Sequence, residues 1–265
     1  FKYYNLSSLQ SPIDLRDYKI SKLTKLDTDL PEEFRIEYNG KIKDQGTTSC
    51  CVAYSLAYIK EIQEQNYEEF SIGYVYVKRD DDDYQGEGMI PREALNCLLK
   101  NGNVLNKCFN KVGTYYKLKA IFPFYNIGNS LDLLASDYRI KSYFKVSTET
   151  EIKNALIKYG ALTMQIPIYE NFYLLNNENA ILSKPEENDY KFGYHQVTIV
   201  GWTKENNLIC INSWGENWGD KGFFYVPIDF PNTEIWGICD DEYPKQLKIV
   251  SLIKKFISMI LRKFN

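Results

Sequence analysis

The only histidine of the chain, His195, stands 144 residues after Cys51, and Asn212 follows it 17 residues later. In that order the three are a thiol nucleophile, a proton carrier and an orienting amide. They are too far apart to meet locally. Any fold that uses them must bring the early part of the chain against its late part. Each also sits in a distinctive string. The first is Gln45-Gly46-Thr47-Thr48-Ser49-Cys50-Cys51-Val52-Ala53-Tyr54-Ser55. The second is Tyr194-His195-Gln196-Val197-Thr198-Ile199-Val200-Gly201-Trp202, and the third is Ile211-Asn212-Ser213-Trp214-Gly215.

The 265 residues suffice for one large domain or two small lobes around a real core. Hydrophobic residues at 44% and charged residues at 25% are ordinary for a soluble globular protein. A net charge of −3 offers no basic footprint for nucleic acid. No apolar run follows Phe1-Lys2-Tyr3-Tyr4-Asn5, so no leader peptide is read there. The six cysteines, at 50, 51, 97, 108, 210 and 239, lack a C-x-x-C metal spacing. Cys50 and Cys51 diverge as neighbours and are poor partners for each other. With Cys51 reserved, a mostly reduced protein is expected, and a Cys97–Cys108 bridge stays open.

Residues 1–27 are polar, weakly patterned and broken by Ser11-Pro12, and they read as an arm. From Cys50 to Gln63 apolar residues recur at helical spacing, which predicts a buried helix with Cys51 at its N-terminus. A second helix is predicted over Pro91–Lys100, with Gly102 beyond its end. Thr148-x-x-Glu151 is a capping box that opens a third helix through Lys158, closed by Gly160. Strand-like runs follow at Leu162–Ile168, Gln196–Gly201, Leu208–Asn212 and Gly222–Val226. Helices first and strands second predict an α+β chain. Its helical lobe reaches about residue 125 and its β lobe begins near 148.

Together the three strings resemble the papain-like cysteine peptidases, over roughly residues 30–240. The resemblance implies a two-lobe fold: a helical N-terminal lobe, an antiparallel β-sheet or barrel C-terminal lobe, and an active-site cleft between them. It implies that Cys51 attacks, His195 shuttles the proton and Asn212 orients the ring. Gln45, six residues before Cys51, would donate to the oxyanion beside the Cys51 backbone N–H. That spacing, with Ala53-Tyr54-Ser55, favours Cys51 over Cys50. Trp214 would shield the His195–Asn212 contact from water. The chain also departs from the family pattern. Val52 replaces the usual Trp, and Thr48 replaces a Cys. The family's Gly-Cys-x-Gly-Gly segment gives way to Gln85-Gly86-Glu87-Gly88, which assigns Gly86, Gly88 and Trp214 to the substrate cleft. These departures fit a divergent bacterial or viral branch. Twenty-seven residues are too few for the family's helical inhibitory prodomain.

The expected function is that of a cysteine endopeptidase acting on peptides or proteins through a thioester, with no metal or organic cofactor. A peptide ligase or amidase would use the same acyl-transfer site, and a non-catalytic binding protein could use the same fold. Two further features invite partners. Asp80-Asp81-Asp82-Asp83 reads as a solvated loop, with calcium as the sharper alternative. In Tyr243–Asn265 an apolar stripe runs beside Lys245, Lys248, Lys254, Lys255, Arg262 and Lys263. Such a basic amphipathic helix suits an anionic membrane surface or a protein partner; packing on its own body is the plainer reading.

Overall fold

A computed structural model describes residues 4–15, 17–65, 68–79 and 86–240. The acidic run at 80–83 and the basic segment at 243–265 lie outside the described residues, and the expectations that rest on them lie there too.

The helical lobe is built on α1 (Cys51–Glu64), which is buried on every side from Cys51 to Gln63. It is therefore a central helix and not a surface one. Four shorter helices surround it: α2 (Ile72–Val77), α3 (Pro91–Lys100), α4 (Tyr115–Tyr125) and α5 (Ser130–Ala135). Pro91 occupies the first turn of α3, where a missing N–H costs nothing. Tyr58, Phe70, Tyr74, Tyr76, Leu95 and Leu98 fill this lobe's core.

The β lobe contains β1 (Phe34–Arg35), β2 (Ser142–Val146), β3 (Leu162–Ile168), β4 (Gly193–Trp202), β5 (Asn207–Ile211), β6 (Phe223–Pro227) and β7 (Glu234–Cys239). Helix α6 (Glu149–Tyr159) follows β2, and the short α7 (Glu170–Tyr173) follows β3. The seven strands form one antiparallel sheet in the order β2-β7-β3-β4-β5-β6, with β1 paired to β4. The outer strands β2 and β6 do not pair, so the sheet is open. The barrel named beside the sheet as an expectation is not formed. Phe144, Leu156, Ile166, Trp202 and Phe224 belong to its separate core.

Helix α3 and strand β3 lie where the sequence predicts them. Thr148 caps α6 by accepting from the Glu151 N–H at 3.2 Å. The Glu151 carboxylate reaches back to the Ser147 N–H at 2.8 Å, one residue earlier than a strict capping box. All six cysteines are free, so Cys97 and Cys108 are not bridged. Helices α2, α4 and α5 and strands β2 and β7 were not expected. In α2 every residue is buried, so no apolar–polar period marks it. The described part of the arm spans both lobes and makes one 3-10 turn at Ile20–Lys22: Ser8 bridges Met89, Lys19 bridges Lys145, and Ile20 is buried in the β-lobe core.

Candidate active site

Cys50 is the residue before α1, and Cys51 is the first residue of the helix. The thiol of Cys51 therefore sits where unpaired backbone N–H groups and the helix dipole favour negative charge. One turn later Ser55 lashes the helix to β4. Its hydroxyl donates to the Val197 carbonyl at 3.0 Å and touches the Thr198 hydroxyl at 2.8 Å. This brings Cys51 against the start of β4, with the backbone amide of Gln196 turned to its sulfur.

His195 immediately precedes Gln196 on the same strand. Its Nε2 lies 2.8 Å from Asn212 Oδ1, just past the end of β5, and its Nδ1 has no hydrogen-bond partner. Asn212 Oδ1 is fixed from the other side by the Ser213 N–H at 2.8 Å. The imidazole packs on Trp214 and Phe172, with ring centroids 5.2 and 6.0 Å away. Gln45 belongs to the same group: its Oε1 accepts from the Ser213 hydroxyl at 2.7 Å. Its Nε2 donates to the carbonyls of Thr48 at 3.0 Å and Asn5 at 3.3 Å.

The second of those carbonyls comes from the N-terminal arm, which lies directly over the site. Tyr4 stacks on Trp214 with centroids 4.3 Å apart and planes 5° from parallel. Asn5 Nδ2 donates to the Thr47 carbonyl at 2.6 Å. Ser7 lies beside Cys51, close enough to oppose the effect of burial on its thiol, while its own hydroxyl is buried without a hydrogen-bond partner. The chain then pairs with the far side of the cleft: the Met89 N–H donates to the Ser7 carbonyl at 3.2 Å and the Leu9 N–H to the Met89 carbonyl at 2.9 Å. Gly88 lines this contact at φ +115°, and a Cβ there would come within 2.3 Å of the Ser7 oxygen. Only glycine fits.

Covering the site sets its electrostatics. Cys51 and His195 are both fully shielded from solvent. Burial raises the Cys51 thiol above its ordinary range, against the opposing pull of the Gln196, Ser7 and Val52 amides and the Ser7 hydroxyl. Burial lowers His195 to about 4, and the Asn212 contact offsets only part of this. With the arm in place, thiol and imidazole are both neutral near pH 7. Cys50 is also raised by burial, and its thiol is turned to the Gly113 carbonyl at 3.8 Å, in the helical lobe.

Cys51, His195, Asn212, Gln45, Trp214 and Gly88 thus gather around arm residues 4–8. Gly86 is turned toward Arg79, whose guanidinium donates to the Gly86 and Gly88 carbonyls. The sequence reading missed Met89, Tyr194, Gln165 and Gln196, and it missed the arm as their occupant. The adjacency of Tyr194 and Gln196 to His195 was the available signal. Among the described residues, no group of three or more His, Cys, Asp or Glu side chains could hold a metal ion.

Residues 30–235 match a family model described as papain family cysteine protease. Cathepsin B-like cysteine proteinase 3 of Caenorhabditis elegans is 28% identical over 149 residues, 54% of this chain and 36% of that protein. A peptidase C1-like protein of Acanthamoeba polyphaga mimivirus is 23% identical over 210 residues, 72% of this chain and 65% of its own. The chain spans less than two thirds of the length of these curated relatives. Among solved structures, xylellain, a cysteine protease from Xylella fastidiosa, superposes with a TM-score of 0.75 at 18% identity, covering 89% of this chain and 96% of its own. A procathepsin B from Trypanosoma congolense gives 0.62 at 15%, covering 88% and 85%. At these identities the structural likeness concerns the fold alone. The bacterial and viral matches accord with a divergent branch.

Proposed function

This chain belongs to the papain family of cysteine proteases, and we propose that it is an endopeptidase working through a Cys51–His195–Asn212 triad. The observation that carries this reading is the 2.8 Å contact between His195 Nε2 and Asn212 Oδ1. It leaves Nδ1 as the nitrogen available to the thiol. The Cys51 thiolate attacks the carbonyl carbon of the scissile bond, and the carbonyl oxygen takes the negative charge. Gln45 Nε2 and the Cys51 backbone N–H donate to that oxygen; losing one such donor typically slows the reaction about 10²–10³-fold. The C–N bond breaks as His195 gives its proton to the leaving amine, and a thioester remains on Cys51. Water then attacks the thioester, His195 takes its proton, and the carboxylic product leaves as the thiolate is restored.

None of this proceeds under the arm. Its release readmits water, which lets the thiol pKa fall and the imidazole pKa rise toward the thiolate–imidazolium pair. The arm residues also mark where an extended peptide would lie. The test is a peptide library incubated with the full chain, alongside labelling by an epoxide thiol inhibitor. Cleavage and labelling that both vanish in Cys51→Ala are expected. Cleavage that survives the substitution sinks the proposal. New amide products with an added amine would point to a ligase.

A further inference from the structure

One arm side chain enters a pocket that is polar where a protein interior is usually apolar. Ser8 is held by its main chain between the two walls of the cleft. Its N–H donates to the carbonyl of Tyr194, beside His195, at 3.4 Å, and it bridges Met89 on the other wall. Its hydroxyl sits between two glutamines, Gln165 on β3 and Gln196 on β4, both almost fully buried. Ser8 Oγ donates to Gln196 Oε1 at 2.9 Å and accepts from Gln165 Nε2 at 2.6 Å.

The direction of these bonds is dictated from below. Ser55 Oγ donates to the Val197 carbonyl, which can only accept. The Ser55–Thr163 contact at 2.7 Å must then carry the Thr163 proton. The Thr163 oxygen is left to accept from Gln196 Nε2 at 2.6 Å. That turns Gln196 Oε1 into the pocket. On the other side, Ser8 has given its one proton to Gln196, so Gln165 offers Nε2 to the Ser8 oxygen and its Oε1 accepts from the Thr233 hydroxyl. The pocket therefore presents one acceptor fixed from below and, to a hydroxyl that donates to it, one donor. A single hydroxyl satisfies both, whereas an apolar side chain strands two buried amide groups.

We propose that Gln165 and Gln196 form a specificity subsite for a small hydroxyl side chain, serine or threonine, next to the substrate residue that faces Cys51. As a statement about substrate it rests on the endopeptidase reading; as a statement about the pocket it does not.

The test uses the full chain and needs no turnover for its first arm. Position 8 is varied to Thr, Ala, Val and Leu, and the iodoacetamide labelling rate of Cys51 reports how tightly the arm is held. Thr should keep labelling slow; Ala, Val and Leu should speed it roughly fivefold to a hundredfold, the range expected for stranded buried amides. In the double variant Gln165→Leu/Gln196→Leu, which removes both amide partners, the order should invert, with Val or Leu at position 8 holding better than Ser. Gln165→Glu, of nearly the same shape, should reject the hydroxyl by offering a second acceptor, and melting curves verify that both variants fold. Labelling indifferent to residue 8, or tightest with Leu against the native glutamines, overturns the proposal. The second arm profiles peptide cleavage by Ser8→Ala. Enrichment of Ser and Thr at one position is expected, and enrichment of apolar or basic residues there overturns it. If no peptide is cleaved, the endopeptidase reading fails and the labelling series alone decides on the pocket.

Discussion

At the scale of single residues, His195 couples the covered site to pH. Its folded value of about 4 lies below the ordinary 6.5, with burial as the main cause. As pH falls through 6.5 the unfolded chain takes up a proton that the covered state refuses until about 4. Stability that is fully present above 6.5 is lost across that window, by up to about 3 kcal/mol. Urea unfolding at pH 7 and pH 4.5 should show a larger acid loss in the wild type than in His195→Gln; equal losses would mean that His195 is not the group refusing the proton. The two adjacent cysteines make a second test. Cys51→Ala should remove turnover and thiol labelling at the site, while Cys50→Ser should leave most of both. The reverse outcome would place the nucleophile one residue earlier. Cys50 has its own place in the helical lobe, facing Gly113.

Elements deliver these residues through their ends and registers. Helix α1 offers its first turn to the thiol, and Ser55 ties it to β4. Strand β4 sets His195 opposite Ile166 of β3, and Thr198 opposite Ile211, next to Asn212, on β5. The site therefore depends on α1 and β4 keeping their registers. Helix α6 supports the sheet from outside the site, so its cap should affect stability alone. Thr148→Ala should cost about 1 kcal/mol, read as a lower urea midpoint, with the Cys51 labelling rate unchanged. A changed labelling rate would mean that α6 acts on the cleft. Gly88→Ala has the opposite signature. Its Cβ meets the Ser7 oxygen at 2.3 Å, so the arm must shift and Cys51 should label faster; slower or unchanged labelling would refute that contact.

For the whole molecule, the arm decides whether two lobes with separate cores present a cleft or a closed surface. Its contacts alternate between the lobes: Thr47, Ser49 and Met89 belong to the helical side, and Trp214, Tyr194 and Gln196 to the sheet side. Tyr4 holds its leading end by stacking on Trp214. Tyr4→Ala should remove a ring contact worth about 0.5–1.5 kcal/mol and speed Cys51 labelling in the full chain roughly twofold to tenfold. An unchanged rate would mean that the arm is held elsewhere, for example where the Ser11 N–H meets Glu234 Oε1 at 3.0 Å and Arg92 pairs with Asp17 at 2.7 Å.

The three residues proposed as a triad, the α1 helix behind Cys51, the cap of α6 and the two-lobe class can all be read from the chain, and the structure brings Cys51, His195 and Asn212 to one region. Each rests on local strings, on short-range periodicity, or on residue types too rare to be incidental, such as a lone histidine. The short helix α2 is not legible, because total burial erases the contrast between faces. Strand β7 is not legible either, since Gly237 interrupts it and its partners on β2 and β3, from Ser142 opposite Cys239 to Gln165 opposite Glu234, lie far away in sequence. The role of residues 4–11 is decided only in three dimensions. A polar segment without periodicity reads as solvent-exposed, and Ser8 is buried because Gln165, Gln196 and Met89, far from it in sequence, offer hydrogen bonds that match its own. Local physics is written along the chain, but complementarity between distant polar groups exists only once the fold has brought them together.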